Sequence, residues 1–200
     1  EGEFVNLTSG SIYSAFTRDK CNTSITEENG EPLFIGMDFN VGNMSAVVHI
    51  KRDGKPIAVA EITGANDTPD MIEVIKSRYS GRSISVYPDA SGGSRRSVNA
   101  AVTDISELRS AGFNIRAPRA NPPVRDRINC MNAAFKNGYK VNVDRCPTYT
   151  DCLEQQPYAK NGEPDKTLGL DHLPDAGGYF INHDYPIIKP ATQIKFPMAM

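Results

Sequence analysis

The chain has 200 residues, of which 39% are hydrophobic, and a formal net charge of −2. This length fits a single domain with a sizeable core, and the total charge gives no sign of a nucleic-acid partner. No apolar segment approaches the thickness of a bilayer, so no membrane span or membrane partner is predicted. The four cysteines form no CxxC pair, which favours reduced thiols in a cytoplasm over a zinc knuckle or disulfide framework.

Composition divides the chain into three predicted parts. Residues 1–30 combine short apolar pieces with a polar run and are expected to form an arm or interdomain linker. Residues 31–185 carry the periodic patterns of a folded domain, and residues 186–200, with their prolines and scattered hydrophobes, resemble a tail.

The segment LFIGMDFNVGNMSAVVHI, residues 33–50, predicts a hairpin of two central strands. Asp38 stands in the first apolar run, where an ionisable group costs stability unless something compensates its charge. A metal ion is one such compensation, although structural acids at strand ends are also common. After a turn at Asp53-Gly54, residues 56–62 predict a third strand and complete an antiparallel meander.

A helix is predicted next, with Thr68 as N-cap and Pro69 at its first position. Residues 83–87 then predict a strand that lies parallel to its neighbour, because a helical crossover precedes it. Asp89 follows this strand at its carboxyl end, the edge where open α/β sheets place their sites. Asp89 could equally cap a turn.

The region from Arg95 to Arg127 is locally basic, with seven arginines against three acids. It includes a predicted short helix over 104–111, a strand over 113–117 and an amphipathic helix over 122–136. Arg125 and Arg127 fall off the apolar stripe of that last helix and are expected to face solvent or a ligand.

The last third of the chain predicts a short helix over 147–154 and an exposed hairpin that carries Lys160 and Lys166. A third acidic cluster, LDHLPDAGGYFI, places Asp171, His172 and Asp175 at the start of a helix. Acids are also ordinary at helix starts, where they favour the positive end of the dipole.

The order of GMDFNVG, YPDASGG and HLPDAGGY resembles the nuclease domain of the large terminase subunit of tailed bacteriophages, of the ribonuclease H and resolvase-like superfamily. The segments GEFV and NPPVRDRINCMNAAF are similar to further parts of the same family. The resemblance implies an α/β fold: a ribonuclease H-like mixed central sheet, with an antiparallel three-strand meander plus parallel strands, and helices on both faces.

The resemblance implies that Asp38, Asp89 and Asp175 are catalytic metal ligands, with His172 in a catalytic role and Asp171 as a further acid at the site. Carboxylates suit two Mg²⁺ or Mn²⁺ ions, which would support hydrolysis of a phosphodiester with little sequence preference. The expected partner is double-stranded DNA, gripped through phosphates by basic side chains. The candidates for this grip are Arg95, Arg96, Arg125, Arg127, Lys160 and Lys166.

The same resemblance implies a terminase ATPase domain earlier in the polypeptide, before residues 1–30, and contacts with the portal and the small terminase subunit. The protein would cut concatemeric viral DNA in the host cytoplasm during genome packaging. These residues contain no GxxxxGK[ST] motif, so ATP hydrolysis through a P-loop is not expected of them.

Two other classes remain open from the sequence. An actin or sugar-kinase type nucleotide-binding fold also places an acid and a glycine in such a hairpin, although no repeated second half is present. A non-catalytic DNA-binding or docking module would use the acids only as caps and turns.

Overall fold

A computed structural model describes residues 10–40, 42–93, 103–160 and 162–187. Six strands form one mixed sheet in the order β5-β4-β1-β2-β3-β6. The strands are β1 (Leu33–Asp38), β2 (Met44–Arg52), β3 (Lys55–Ala65), β4 (Ile84–Pro88), β5 (Asn114–Ile115) and β6 (Lys140–Val141). The first three strands pair antiparallel, whereas β4 joins β1 in parallel, as predicted from the crossover.

Helices cover both faces of the sheet, which confirms the predicted fold class. They are α1 (Arg18–Cys21), α2 (Thr68–Arg78), α3 (Asp104–Ser110), α4 (Val124–Lys136), α5 (Pro147–Gln155) and α6 (His172–Asp184). Helices α2 and α3 lie on one face, which we call the scaffold face, and α4, α5 and α6 lie on the other, which we call the site face. None of these helices is long and apolar enough to cross a membrane.

Strand alternation divides the core between the two faces. On β1, Leu33, Ile35 and Met37 are buried on the scaffold face. Phe34, with the opposite parity, packs on the site face beside α6. Because Asp38 has the parity of Phe34, its side chain belongs to the site face, where the helix of the third acidic cluster lies.

Several boundaries differ from those expected. The N-cap of α2 is Asp67, whose carboxylate accepts from the backbone N–H of Asp70, and Thr68 is already the first helical residue. The strand predicted over 113–117 is shortened to Asn114–Ile115. The predicted hairpin near Lys160 pairs through an isolated antiparallel bridge between Tyr158 and Pro164.

The described part of the 1–30 segment packs on the domain. Ile12, Tyr13 and Phe16 are buried in the same core as α4 and α6. Asn132 of α4 ties this segment down, because its amide donates to the Ile12 carbonyl and accepts from the backbone N–H of Ala15. Whether 1–30 links to another domain stays a prediction, and most of the proposed 186–200 tail lies outside the described residues.

Candidate active site

Backbone pairing brings the first two predicted acids to one edge of the sheet. Strands β1 and β4 run parallel and end together, with Met37 opposite Pro88. The backbone N–H of Asp89 donates to the carbonyl of Met37 over 3.2 Å. Asp38 is the last residue of β1 and Asp89 directly follows β4, so both lie at the carboxyl ends of adjacent parallel strands, as predicted.

The start of α6 brings the third cluster to the same edge. This helix lies close to β1, since a Cβ on Gly36 would overlap the backbone carbonyl of Ala176. Glycine at position 36 is therefore what lets α6 approach the strand. His172 and Asp175 lie in the first turn of the helix, and the N–H of Asp175 donates to the Asp171 carbonyl.

All the acids predicted for the site line one open pocket of about 350 Å³. The pocket also contains Phe39, Asn40, Arg127 and Tyr179. The acids and the histidine that share it are Asp38, Asp89, Asp171, His172 and Asp175. The structure thus brings together side chains as far apart in the sequence as Asp38 and His172, which are separated by 134 positions.

Asp38 carries the clearest electrostatic signature of the pocket. Burial and the nearby carboxylate of Asp175 raise its pKa to about 6, and Asp89 adds to the rise. A hydrogen bond from His172 Nδ1 to Asp38 Oδ2, at 3.1 Å, works in the opposite direction. The carboxylates of Asp175 and Asp89 are therefore close enough to disfavour the charged form of Asp38.

Asn40 joins the site without any signal in the sequence that marks it. Its amide Nδ2 lies 3.1 Å from His172 Nε2 while His172 Nδ1 faces Asp38. An amide that donates to Nε2 leaves the ring proton on Nδ1, where it can donate to the carboxylate. The imidazole is thus oriented from both sides by residues at and just beyond the end of β1.

Asp89 is held by the turn that follows it. The hydroxyl of Ser91 donates to both of its carboxylate oxygens, at 2.9 and 2.8 Å. The side chain of Asn121 accepts from the backbone N–H of Ala90 at 2.6 Å. The acid therefore sits on a loop that neighbouring polar groups fix in place.

Asp175 is paired with Arg127 of α4. The guanidinium Nη2 lies 2.7 Å from Asp175 Oδ1, and Arg127 is only 4% exposed. Burial opposes the charge of Arg127, but Asp175 raises the pKa of the guanidinium above its ordinary value. Of the two arginines expected to face solvent or a ligand, Arg125 is exposed, whereas Arg127 points into the pocket.

Asp171 retains one carboxylate oxygen without a partner. Lys166 reaches its Oδ2 at 3.2 Å from the exposed segment before α6. Within the described residues, Oδ1 is buried and accepts no hydrogen bond, and His172 Nε2 lies 4.0 Å from it. A buried carboxylate oxygen in this state is unfavourable and is a suitable ligand for a cation.

The donor set fits a hard divalent cation in its chemistry, because it consists of carboxylate oxygens with one of them unpartnered. The described residues nevertheless contain no group of three or more His, Cys, Asp or Glu side chains that is arranged to hold a metal ion. Asp38, Asp89 and Asp175 each face a protein donor instead. Rotation of these side chains would be required before several of them could share one ion.

The residues predicted to grip DNA are only partly described. Arg95 and Arg96 lie outside the described residues. Lys160 and Arg125 are exposed, and Lys166 has a side chain that is 66% exposed at the rim of the pocket. Among the described residues, Lys166 is the exposed cation that lines the acidic pocket.

The sequence matches the family described as terminase RNaseH-like domain over residues 35–184. This chain belongs to that family. The match covers three quarters of the sequence and includes Asp38, Asp89, Asp171, His172 and Asp175. A comparison of this chain with curated protein sequences found no match.

Solved structures of phage terminases share its fold. The large terminase of one thermophilic bacteriophage is 20% identical, with a TM-score of 0.67, and the match covers 86% of this chain and 45% of that one. The nuclease domain of the SPP1 large terminase, solved with bound Mn, is 18% identical over 82% of this chain and 94% of its own, with a TM-score of 0.57. The large terminase nuclease of another thermophilic phage, G20c, was solved with bound magnesium and is 16% identical, with a TM-score of 0.60. That match covers 86% of this chain and 97% of the G20c chain.

The terminase domain spans about half the length of the first of these large terminases. The family predicted from the three acidic motifs is therefore confirmed, as is the mixed α/β sheet that the family implied.

Proposed function

We propose that this terminase domain is a metal-dependent endonuclease that hydrolyses phosphodiesters of double-stranded DNA with little sequence preference. The observation that carries the proposal is the convergence of Asp38, Asp89 and Asp175 on one pocket, with the pKa of Asp38 raised by burial and by the other acids. Related nuclease domains with bound Mn and Mg support the use of a divalent cation.

The acids of the pocket would hold the cations, with Asp38, Asp89 and Asp175 as the central ligands and Asp171 as a fourth candidate. Two bound Mg²⁺ or Mn²⁺ ions would activate a water and stabilise the departing 3′ oxygen in an in-line displacement at phosphorus. His172 is held between Asn40 and Asp38, where it can orient a water or relay a proton.

The proposed substrate fits the charges at the rim. A DNA backbone carries its charge on phosphates, which lysine and arginine side chains bind without reading the bases. Lys166 stands beside the acids, and Arg125 and Lys160 are exposed on neighbouring segments. Membership of the family suggests that the whole protein joins this domain to an ATPase domain. It would then cut concatemeric DNA together with the portal and the small terminase subunit.

The first experiment measures conversion of supercoiled plasmid to nicked and linear forms with Mg²⁺, Mn²⁺ or EDTA. Asp38→Asn and Asp175→Asn are expected to reduce cleavage by a factor on the order of 10³ or more, because each removes a ligand charge. Asp144→Asn is the matched control, since Asp144 is exposed in a turn away from the pocket. Undiminished cleavage by either pocket variant, with an unchanged melting curve, would remove that residue from the site.

The second experiment tests the grip on phosphates. Replacement of Arg95 and Arg96 by glutamine is expected to weaken DNA binding and to lower the slope of log affinity against log salt by about one per lost contact. An unchanged slope would contradict their assignment. A non-catalytic DNA-binding module, the remaining alternative, would bind DNA and show no metal-dependent cutting in either experiment.

A further inference from the structure

Every carboxylate of the acidic pocket is paired with a donor group from the chain itself. Each of its four carboxylates has a donor from the chain within 3.2 Å. The pairs are Asp38 with His172, Asp89 with Ser91, Asp171 with Lys166, and Asp175 with Arg127.

Arg127 differs from the other three donors. Ser91 is uncharged, Lys166 is an exposed and flexible side chain, and His172 is charged only when protonated. Arg127 is a permanent cation that is almost completely buried, so its charge is weakly screened and its side chain has little freedom to leave.

Packing fixes Arg127 against Asp175. Its guanidinium carbon lies 4.7 Å from the centre of the Tyr179 ring, which it faces as a cation above an aromatic surface. Its aliphatic carbons run across Gly178, where a Cβ would come within 2.7 Å of Cγ and 2.8 Å of Cδ. Glycine in mid-helix is unfavourable by propensity, and at position 178 it provides the channel through which the arginine reaches the acid.

A cation fixed beside a carboxylate repels a second cation that approaches the same group. The repulsion is strong here because both charges would be buried at short separation. Arg127 occupies one lone pair of Asp175 Oδ1, so an incoming divalent ion must bind the carboxylate beside the guanidinium or displace it.

We propose that Arg127 is a positioning residue that lowers the metal affinity of the pocket: it holds Asp175 in the metal-free protein, and a divalent cation competes with it for that carboxylate. This inference rests on the proposed metal-dependent nuclease. The proposal implies that the pocket binds its metal ions fully only when DNA is present, because the negative charge of a DNA phosphate offsets the repulsion from Arg127.

The test is calorimetric titration of the full 200-residue chain with MnCl₂ in the absence of DNA. Arg127→Met removes the charge and keeps the apolar stem, and it is expected to bind Mn²⁺ more tightly than the unmodified protein by a factor on the order of ten or more. Arg127→Lys keeps a positive charge beside Asp175 and is expected to have an Mn²⁺ affinity nearer to that of the unmodified protein than to that of Arg127→Met. Arg125→Met is the matched control, since Arg125 is exposed on the same helix, and its affinity should not change.

Gly178→Ala gives a second route that retains the arginine. The added methyl group would collide with Arg127 Cγ and Cδ and push the side chain away from Asp175. Its Mn²⁺ affinity should lie between those of the unmodified protein and Arg127→Met. The variant keeps the proposal testable if Arg127→Met does not fold, which melting curves in EDTA would reveal.

A purely structural role of the ion pair would lower the melting temperature of metal-free Arg127→Met and leave its Mn²⁺ affinity equal or weaker, and that result would overturn the proposal. Asp38→Asn separates this failure from failure of the proposed function. If the unmodified protein binds Mn²⁺ and Asp38→Asn does not, the metal site stands whatever Arg127 does. If neither the unmodified protein nor Arg127→Met binds Mn²⁺, or if Asp38→Asn binds it as tightly as the unmodified protein does, the proposed metal site fails and the inference fails with it.

Discussion

The two faces of the sheet are built from different chemistry. The scaffold face buries mainly aliphatic side chains under α2 and α3, among them Ile35, Ile75 and Leu108. The site face buries aromatic rings together with polar groups, among them His49 and Tyr149. Aliphatic packing tolerates small shifts, whereas buried hydrogen bonds and close backbone contacts do not. The face that carries the acids is therefore the more exactingly built of the two.

A chain of buried hydrogen bonds supports α6 below the pocket. His49 Nε2 lies 2.8 Å from the Tyr139 hydroxyl, which lies 3.0 Å from the Tyr149 hydroxyl. His49 Nδ1 faces the Phe34 carbonyl at 3.2 Å, and its ring packs against Phe180 of α6 at 4.5 Å between centroids. Polar groups thus orient the helix whose first turn carries His172 and Asp175.

Gly36→Ala is expected to break the site face most severely. A methyl group at position 36 would overlap the Ala176 carbonyl, and neither backbone can move without shifting α6 from the sheet. We expect a loss of about 4 kcal/mol or more in the free energy of unfolding, together with loss of Mn²⁺ binding in any protein that remains folded. Urea denaturation and calorimetry would measure the two effects.

Ile75→Ala on the scaffold face is the control for this variant. It should cost about 2–4 kcal/mol through the cavity that it leaves, yet the folded fraction should bind Mn²⁺ as the unmodified protein does. Equal losses of metal binding in the two variants would remove the proposed distinction between the faces.

His49 predicts an acid sensitivity that originates on the site face. Burial lowers its pKa from 6.5 to about 3, so the folded protein keeps the ring neutral while the unfolded chain takes up a proton below pH 6.5. Its contribution is complete above about pH 6.5 and is lost as the pH falls, at up to about 1.4 kcal/mol per pH unit.

The His49 effect is measured as the difference in unfolding free energy between the unmodified protein and His49→Gln, from about pH 7.5 to 5. This difference should shrink by about 2 kcal/mol over that range. A pH-independent difference for His49→Gln would contradict a neutral, buried ring.

Asp38 predicts the opposite sign and a smaller effect. Its pKa is raised from 3.8 to about 6, so the protonated form is favoured in the folded, metal-free protein, and stability is lost as the pH rises through 6. In EDTA at about pH 7.5, Asp38→Asn should raise the unfolding free energy by about 1–2 kcal/mol. The increase should be smaller at about pH 4, because Asp38 in the folded protein is then neutral, as the asparagine is. A destabilised Asp38→Asn under these conditions would show that the acid is a structural cap instead.

Local signals in the sequence were sufficient for much of the fold. The hairpin of β1 and β2 followed from β-rich runs around a Gly/Asn turn, and the parallel pairing of β4 followed from the crossover helix. The acids at strand ends could be recognised because Asp38 interrupts an apolar run and Asp89 follows one. Each of these signals lies within a few residues of the feature that it predicts.

The partners of the acids could not be predicted in this way. Arg127 and Asp175 lie on different helices, and Asn40 meets His172 across a sequence separation of 132. The sequence pattern of α4 placed Arg127 outside the apolar stripe of that helix, but it could not show that α6 covers the arginine. The Gly177-Gly178 pair inside a predicted helix was the available signal, because mid-helix glycines often mark a close approach.

The central claim is that Asp38, Asp89 and Asp175 bind divalent cations jointly. Anomalous diffraction at the manganese edge, from crystals of the protein soaked in MnCl₂, tests it most directly. We predict manganese peaks within roughly 2–2.5 Å of carboxylate oxygens from all three residues, with Arg127 displaced from Asp175 or confined to Oδ1. Manganese bound elsewhere, or bound by one of the three acids alone, would contradict the account.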